Sequence, residues 1–337
     1  MKLHRFIFAC ALALCPLFAM AQQCGTYNGP MLIDGFGPPD KSFAQEPEPT
    51  LPADSTALAL TITAPANKAI VGTRTVQVYG TYAGPPATGV AVNKAAAIQT
   101  ATDYVSSVVL KPGANTITVK VTQLTGETQT LTRTVTYDPL QQPEIEMTAT
   151  LQGEHAPIKP SFTLTPGTGL SMTRIQLDYD GNGTFDLDTT NVSTLLKFEY
   201  KTPGFLSPSA TVTLDDGNPN TPVIVRTVSR KIAIVPLPLT RKTLCYVFYR
   251  MKSRLAAGDI PDAVKSVNAD FRAEVQADFN LLADPADGAQ RMGTVGDGTI
   301  GIRLATLTLD VIYENQPIAT SITLERASDA VWRITSM

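Results

Sequence analysis

Three carboxylates and an amide oxygen recur at alternate positions in Asp178-x-Asp180-x-Asn182-Gly183-x-x-Asp186. Calcium takes about six to eight oxygen ligands, and alternate acidic positions before a glycine bend aim several of them inward. Thr184 would add its backbone carbonyl, and Asp188 a further carboxylate. Position twelve of such a loop is Thr189 rather than a bidentate glutamate, and no entering helix is predicted. The same residues suit a polar hairpin whose Asx and Gly residues merely turn the chain. The candidate cofactor is therefore calcium or none.

Other reactive side chains are scarce. The chain has two histidines, His4 and His155. His155 sits in Gly153-Glu154-His155-Ala156-Pro157, which reads as a solvated loop. One histidine cannot build a multi-histidine zinc site, and no G-x-S-x-G elbow is present to supply a nucleophile. Asp310 and Glu314 read as strand-edge acids, and Trp332, the single tryptophan, as a core anchor. No catalytic residue is assigned.

The first 21 residues have the form of a secretory signal peptide. Lys2 and Arg5 precede an apolar run from Phe6 to Met20, and Ala19-Met20-Ala21 is a small-x-small cleavage site. Their removal takes His4, Cys10 and Cys15 with it, leaving Cys24 and Cys245. In an oxidising compartment those two form a disulfide or remain as separate thiols, since spacing alone does not set their distance. The chain holds 27 Lys+Arg and 30 Asp+Glu; losing Lys2 and Arg5 leaves 27 − 2 = 25 bases and a net charge of −5. No basic stripe exists to displace counterions, so nucleic acid is not an expected partner. No second apolar stretch reaches ~18 residues, so no membrane span is expected. The predicted location is periplasmic or extracellular.

Residues 22–56 read as a flexible linker, broken by Gly35-Phe36-Gly37-Pro38-Pro39 and Glu46-Pro47-Glu48-Pro49. Period-two alternation then begins. Leu58, Leu60 and Ile62 share a face; Val76 and Val78 share one, Gln77 and Tyr79 the other. Ile117, Val119 and Val121 follow, then Leu131, Arg133, Val135 and Tyr137, with Arg133 expected near a sheet edge. Val90-Ala91-Val92-Asn93-Lys94 and Leu110-Lys111-Pro112-Gly113-Ala114-Asn115-Thr116-Ile117-Thr118-Val119 resemble the bacterial Ig-like domain of the glucodextranase B type. Lys94 stands where that family has glycine. The resemblance implies a β-sandwich over 57–139 and suggests a polysaccharide accessory role.

Residues 140–238 form a second β-rich unit. Phe198-Glu199-Tyr200-Lys201-Thr202-Pro203-Gly204-Phe205 and Val212-Thr213-Leu214-Asp215-Asp216-Gly217 resemble a polycystic-kidney-disease-type Ig-like domain. After Pro238 the period changes. Leu244, Val247, Phe248, Met251 and Leu255 mark one helix face, Gly258 ends it, and Asp259 and Pro261 open a second helix. The second face is read as Val264, Val267, Phe271, Val275 and Phe279. Alternation returns at Leu307, Leu309 and Val311, and at Ile318, Thr320, Ile322 and Leu324. Leu255-Ala256-Ala257-Gly258-Asp259-Ile260 and Val331-Trp332-Arg333-Ile334 resemble the cystatin-like cone fold of SnoaL-like proteins, which implies an α+β domain over 239–337.

The expected architecture is thus multidomain and mainly β: two tandem Ig-like β-sandwiches followed by an α+β cone-fold domain. The expected function is non-enzymatic, with the sandwiches serving adhesion, spacing or binding of a cell-envelope protein or polysaccharide. The alternatives are a polysaccharide-binding accessory protein and a cone-fold enzyme built around Asp310.

Overall fold

The structure is a computed structural model that describes residues 50–52, 56–313 and 316–337, by backbone alone at 312–313 and 316–317. The expected signal peptide (1–21) and nearly all of the expected linker lie outside the described residues. The protein is mainly β, with several antiparallel sheets, then a helical segment, then a C-terminal four-stranded sheet. Among the described residues no helix is long and apolar enough to cross a membrane.

The first unit packs two sheets face to face. One joins Ala59–Leu60, Thr75–Ala83, Asp103–Val109 and Ile98–Gln99; the other joins Ala69–Val71, Thr128–Tyr137, Gly113–Thr122, Gly89–Val92 and Ala95–Ala96. Val76, Val78, Ile117, Val119, Val121 and Val135 are buried between them, so the alternating apolar positions do form the core. Arg133 lies one strand in from the edge in the order of strands, and its guanidinium donates to the Ile62 carbonyl at 3.1 Å. Asn115 bonds the backbone of Lys111 and Gly113, fixing the Pro112-Gly113 turn.

Asn93 and Lys94, at φ +49° and +66°, make the two-residue connection between Val92 and Ala95. Both central residues are left-handed, the geometry of a type I′ hairpin turn. Lys94 therefore keeps a turn that glycine fills without steric cost. Lys94→Gly is expected to raise stability by about 1 kcal/mol, measured by urea denaturation.

The second unit contains the sheets Leu187–Thr189, Ser171–Asp178, Ser209–Asp215, Ile224–Ser229 and Ile145–Thr150, Ser161–Pro166, Leu196–Lys197. Its core holds Met147, Phe162, Ile175, Leu177, Val212, Leu214, Ile232 and Ile234.

The last unit begins with α1 (Leu237–Ala256), whose Leu244, Val247, Phe248, Met251 and Leu255 are buried. Gly258 follows it at φ +75°, and the Asp259 carboxylate caps α2 (Ile260–Ala263) by accepting from the Asp262 amide. The expected second amphipathic helix is corrected here. It breaks after the 3₁₀ turn Val264–Ser266, because Val267 is extended and bridges to Ile334 while the Asn268 amide donates to the Ile334 carbonyl. Helix α3 (Arg272–Asn280) follows, Phe271 is 42% exposed rather than buried, and α4 (Pro285–Arg291) is an element that periodicity did not show. The sheet runs in sequence order through Thr294–Ile300, Leu304–Tyr313, Gln316–Arg326 and Trp332–Ser336. Its inward residues Leu307, Leu309, Ile322, Leu324 and Trp332 pack in one cluster with α1.

The units are not merely strung in series. Gln77, on the face opposite Val76 and Val78, exchanges two hydrogen bonds with the Lys231 backbone. The Lys231 ammonium lies 5.7 Å from the ring centroids of both Tyr79 and Phe205 and bonds the Ser207 hydroxyl. Ala87 and Leu124 of the first unit join the core of the last.

Candidate functional site

The acidic motif forms the connection between Ser171–Asp178 and Leu187–Thr189, so it is a hairpin loop with no entering helix. Oxygens of Asp178, Asp180 and Asp186 lie within 4.8 Å of one another. Ligands about 2.3–2.6 Å from a central calcium stand at most about 5 Å apart, so this spacing fits that ion. Asp178 is buried; Asp180 and Asp186 are exposed. The Asp178 carboxylate accepts from the amides of Gly181, Asn182 and Gly183 at 2.7, 3.2 and 2.7 Å. Burial pushes its pKa up, but those amides and the Asp180 side chain outweigh it and hold the group below its ordinary 3.8. The stabilisation it gives is full above that value and is lost as pH falls through the depressed one.

Asn182 shares the loop, its amide donating to Asp180 and its oxygen accepting from the Thr184 amide. Asp186 accepts from the Tyr179 amide at 2.7 Å. Asp188, the further carboxylate, accepts from two Arg174 nitrogens at 2.8 and 2.5 Å and from Gln176. Saturating calcium is expected to raise the melting temperature of the protein, since an ion held at 100 times its dissociation constant adds about 2.7 kcal/mol. Asp180→Asn should remove most of that rise while leaving the calcium-free melting temperature nearly unchanged. Identical melting in calcium and chelator counts against a metal.

The second constellation was not visible in the sequence, and it corrects the reading of His155 as a solvated loop residue. His155 is 7% exposed, with Nδ1 3.0 Å from the Val235 carbonyl. That bond places the imidazole proton on Nδ1. Its segment is drawn in because the backbone of residues 154–155 pairs with the end of the Ile232–Ile234 strand, Val235 donating to the Glu154 carbonyl. Beside it, Arg326 of the last unit is 6% exposed. Its Nη1 donates to Glu154 of the second unit at 2.8 Å, and its Nη2 donates to the Ala97 carbonyl of the first at 2.5 Å. One guanidinium thus joins all three units. A cavity of about 350 Å³ opens against this cluster, bounded by all three. The signal in the sequence was one of phase: Arg326 continues the buried alternation of Ile322 and Leu324.

Burial lowers the His155 pKa below 6.5, and Arg326 adds to this; the Val235 carbonyl and Glu154 oppose it. The folded state therefore binds this proton more weakly than the unfolded chain. Stability should be full above about pH 6.5 and fall as pH drops below it. Melting temperatures between pH 7.5 and 5.5 should show this fall in the native chain and a flatter profile in His155→Gln.

Cys245 is buried on α1 and disulfide-bonded; Cys24, its expected partner, lies outside the described residues. Glu314 lies outside them too. Asp310 is half-buried on the third unit's sheet, and burial alone pushes its carboxyl up. Three residues of α1 grip the neighbouring strand: Arg241 and Lys252 donate to the carbonyls of Gly296 and Gly293, and the Tyr249 hydroxyl accepts from the Val295 amide. Tyr249 and Tyr246 are buried.

Residues 59–139 match the family model described as glucodextranase, domain B. This stretch is an Ig-like β-sandwich. No curated protein matches the chain. Among solved structures, the fibronectin(III)-like modules of Clostridium thermocellum CbhA are similar at 13% identity, covering 53% of this chain and 95% of that one, with a TM-score of 0.20. Dimeric latent PorU from Porphyromonas gingivalis is similar at 11% identity over 53% of this chain and 20% of that one, with a TM-score of 0.29.

Proposed function

We propose that the protein is a non-enzymatic exported component of the periplasm or the extracellular space, a rigid scaffold that holds Ig-like loops and sheet edges against a protein or polysaccharide of the cell envelope. The observation that carries this is the Arg326 junction. Units fastened by a buried guanidinium and by the Lys231–Tyr79–Phe205 contact hold their loops at fixed relative positions. Fixed positions lower the ordering cost of binding a large partner. In this scaffold residues 140–238 form a polycystic-kidney-disease-type sandwich and residues 239–337 a cystatin-like cone fold. The match of residues 59–139 to glucodextranase domain B favours polysaccharide as a second reading of the partner.

The test is capture. The mature chain, immobilised and presented with solubilised envelope from its own cells and with a glycan array, should retain a defined protein or glycan. Retention should weaken when the junction is opened by Arg326→Ala. Turnover of a substrate by the purified chain, abolished by Asp310→Ala, would overturn the non-enzymatic reading.

A further inference from the structure

The cavity at the three-unit junction has a chemistry of its own, independent of what the outer loops engage. Pro85 of the first unit and Leu239 and Trp332 of the last give it apolar wall. Three lining residues carry charge: Glu154, Arg326 and Lys242. Glu154 and Arg326 neutralise each other at 2.8 Å. Lys242 is exposed on α1 and has no ion-pair partner among the described residues. Among the described residues the cavity therefore combines apolar walls with one positive charge that no ion pair offsets. Its volume of about 350 Å³ sits at the small end of ligand pockets, which run roughly 300–1,000 Å³ and favour domain interfaces.

We propose that this cavity is a binding site for a small organic monoanion, an apolar body bearing one carboxylate or sulfonate, with its charge on Lys242 and its body against Trp332. An apolar body gains by leaving water for the cavity wall. The anion meets an ammonium that no carboxylate among the described residues occupies, and the Glu154–Arg326 pair is internally neutral. Lipids with two long chains are too large for the volume.

Trp332 is the single tryptophan of the chain and lines the cavity, so the one indole donor for energy transfer lies at this site. The probes are 8-anilinonaphthalene-1-sulfonate and its uncharged relative N-phenyl-1-naphthylamine, titrated into the mature chain. The sulfonate should bind one site with energy transfer from Trp332 and at least tenfold more tightly than the uncharged probe. Lys242→Glu should weaken the sulfonate by tenfold or more and leave the uncharged probe unchanged; exposed Lys242→Gln gives the same direction if the glutamate variant folds poorly. Ala101→Phe, which adds a ring at the cavity lining, should abolish the energy transfer. Equal affinity of the two probes, indifference of the sulfonate to Lys242, or energy transfer that survives Ala101→Phe each overturns the proposal.

Discussion

Arg326→Ala should destabilise the C-terminal unit by about 3–5 kcal/mol, the cost of breaking a buried ion pair by removing one partner. The side chains of Arg326 and Glu154 are 7% and 13% exposed, so both charges are largely withdrawn from water. Removing the guanidinium leaves the Glu154 carboxylate buried without a counter-charge. It also strips a donor from the Ala97 carbonyl, and the two losses fall on different units. Trp332 lies in the third unit, so its fluorescence in urea follows the affected region; the midpoint should drop by at least about 1 M. The double variant Arg326→Met with Glu154→Met should recover most of the loss, because an apolar pair of similar volume carries no stranded charge. If Arg326→Ala alone melts within about 0.5 kcal/mol of the native chain, the junction is not the fastening described above.

Gly89→Val is expected to force the first and last units apart, costing about 3 kcal/mol or more. A Cβ at Gly89 would lie 2.4 Å from the Asp329 carbonyl oxygen, 2.5 Å from the Ala330 carbonyl carbon and 2.6 Å from the Val331 amide nitrogen. All three are backbone atoms, which cannot swing aside as a side chain could. Gly89 also pairs with Thr122 inside its own sheet, so it cannot retreat without breaking the ladder. The control is Gly204→Ala, where the nearest atom to an added Cβ is 3.7 Å away on the Leu206 side chain. That change should be neutral or stabilising by about 0.4–1 kcal/mol through the unfolded chain. A Gly89→Val protein with native Trp332 melting would show that the two units do not meet at this backbone.

The strand faces at Val76/Val78 and Ile117/Val119/Val121, the α1 face, the Asp259 cap and the acidic loop each rest on neighbours a few residues apart, and each is where its pattern put it. The second helix failed because apolar spacing does not register a backbone partner: Val267 is extended by its bridge to Ile334, 67 residues on. Gln77 and Tyr79 alternate as the second face of a strand, but nothing local says that this face meets another unit.

Local pattern set the period of most elements, the places where the chain turns and the spacing of three carboxylates on one loop. Packing between the units is what buries His155, shares Arg326 among three units and sets Lys242 beside a cavity. The difference lies in separation along the chain. Glu154 and Arg326 are 172 residues apart, Ala97 and Arg326 229, and such contacts depend on whole faces meeting rather than on any local repeat.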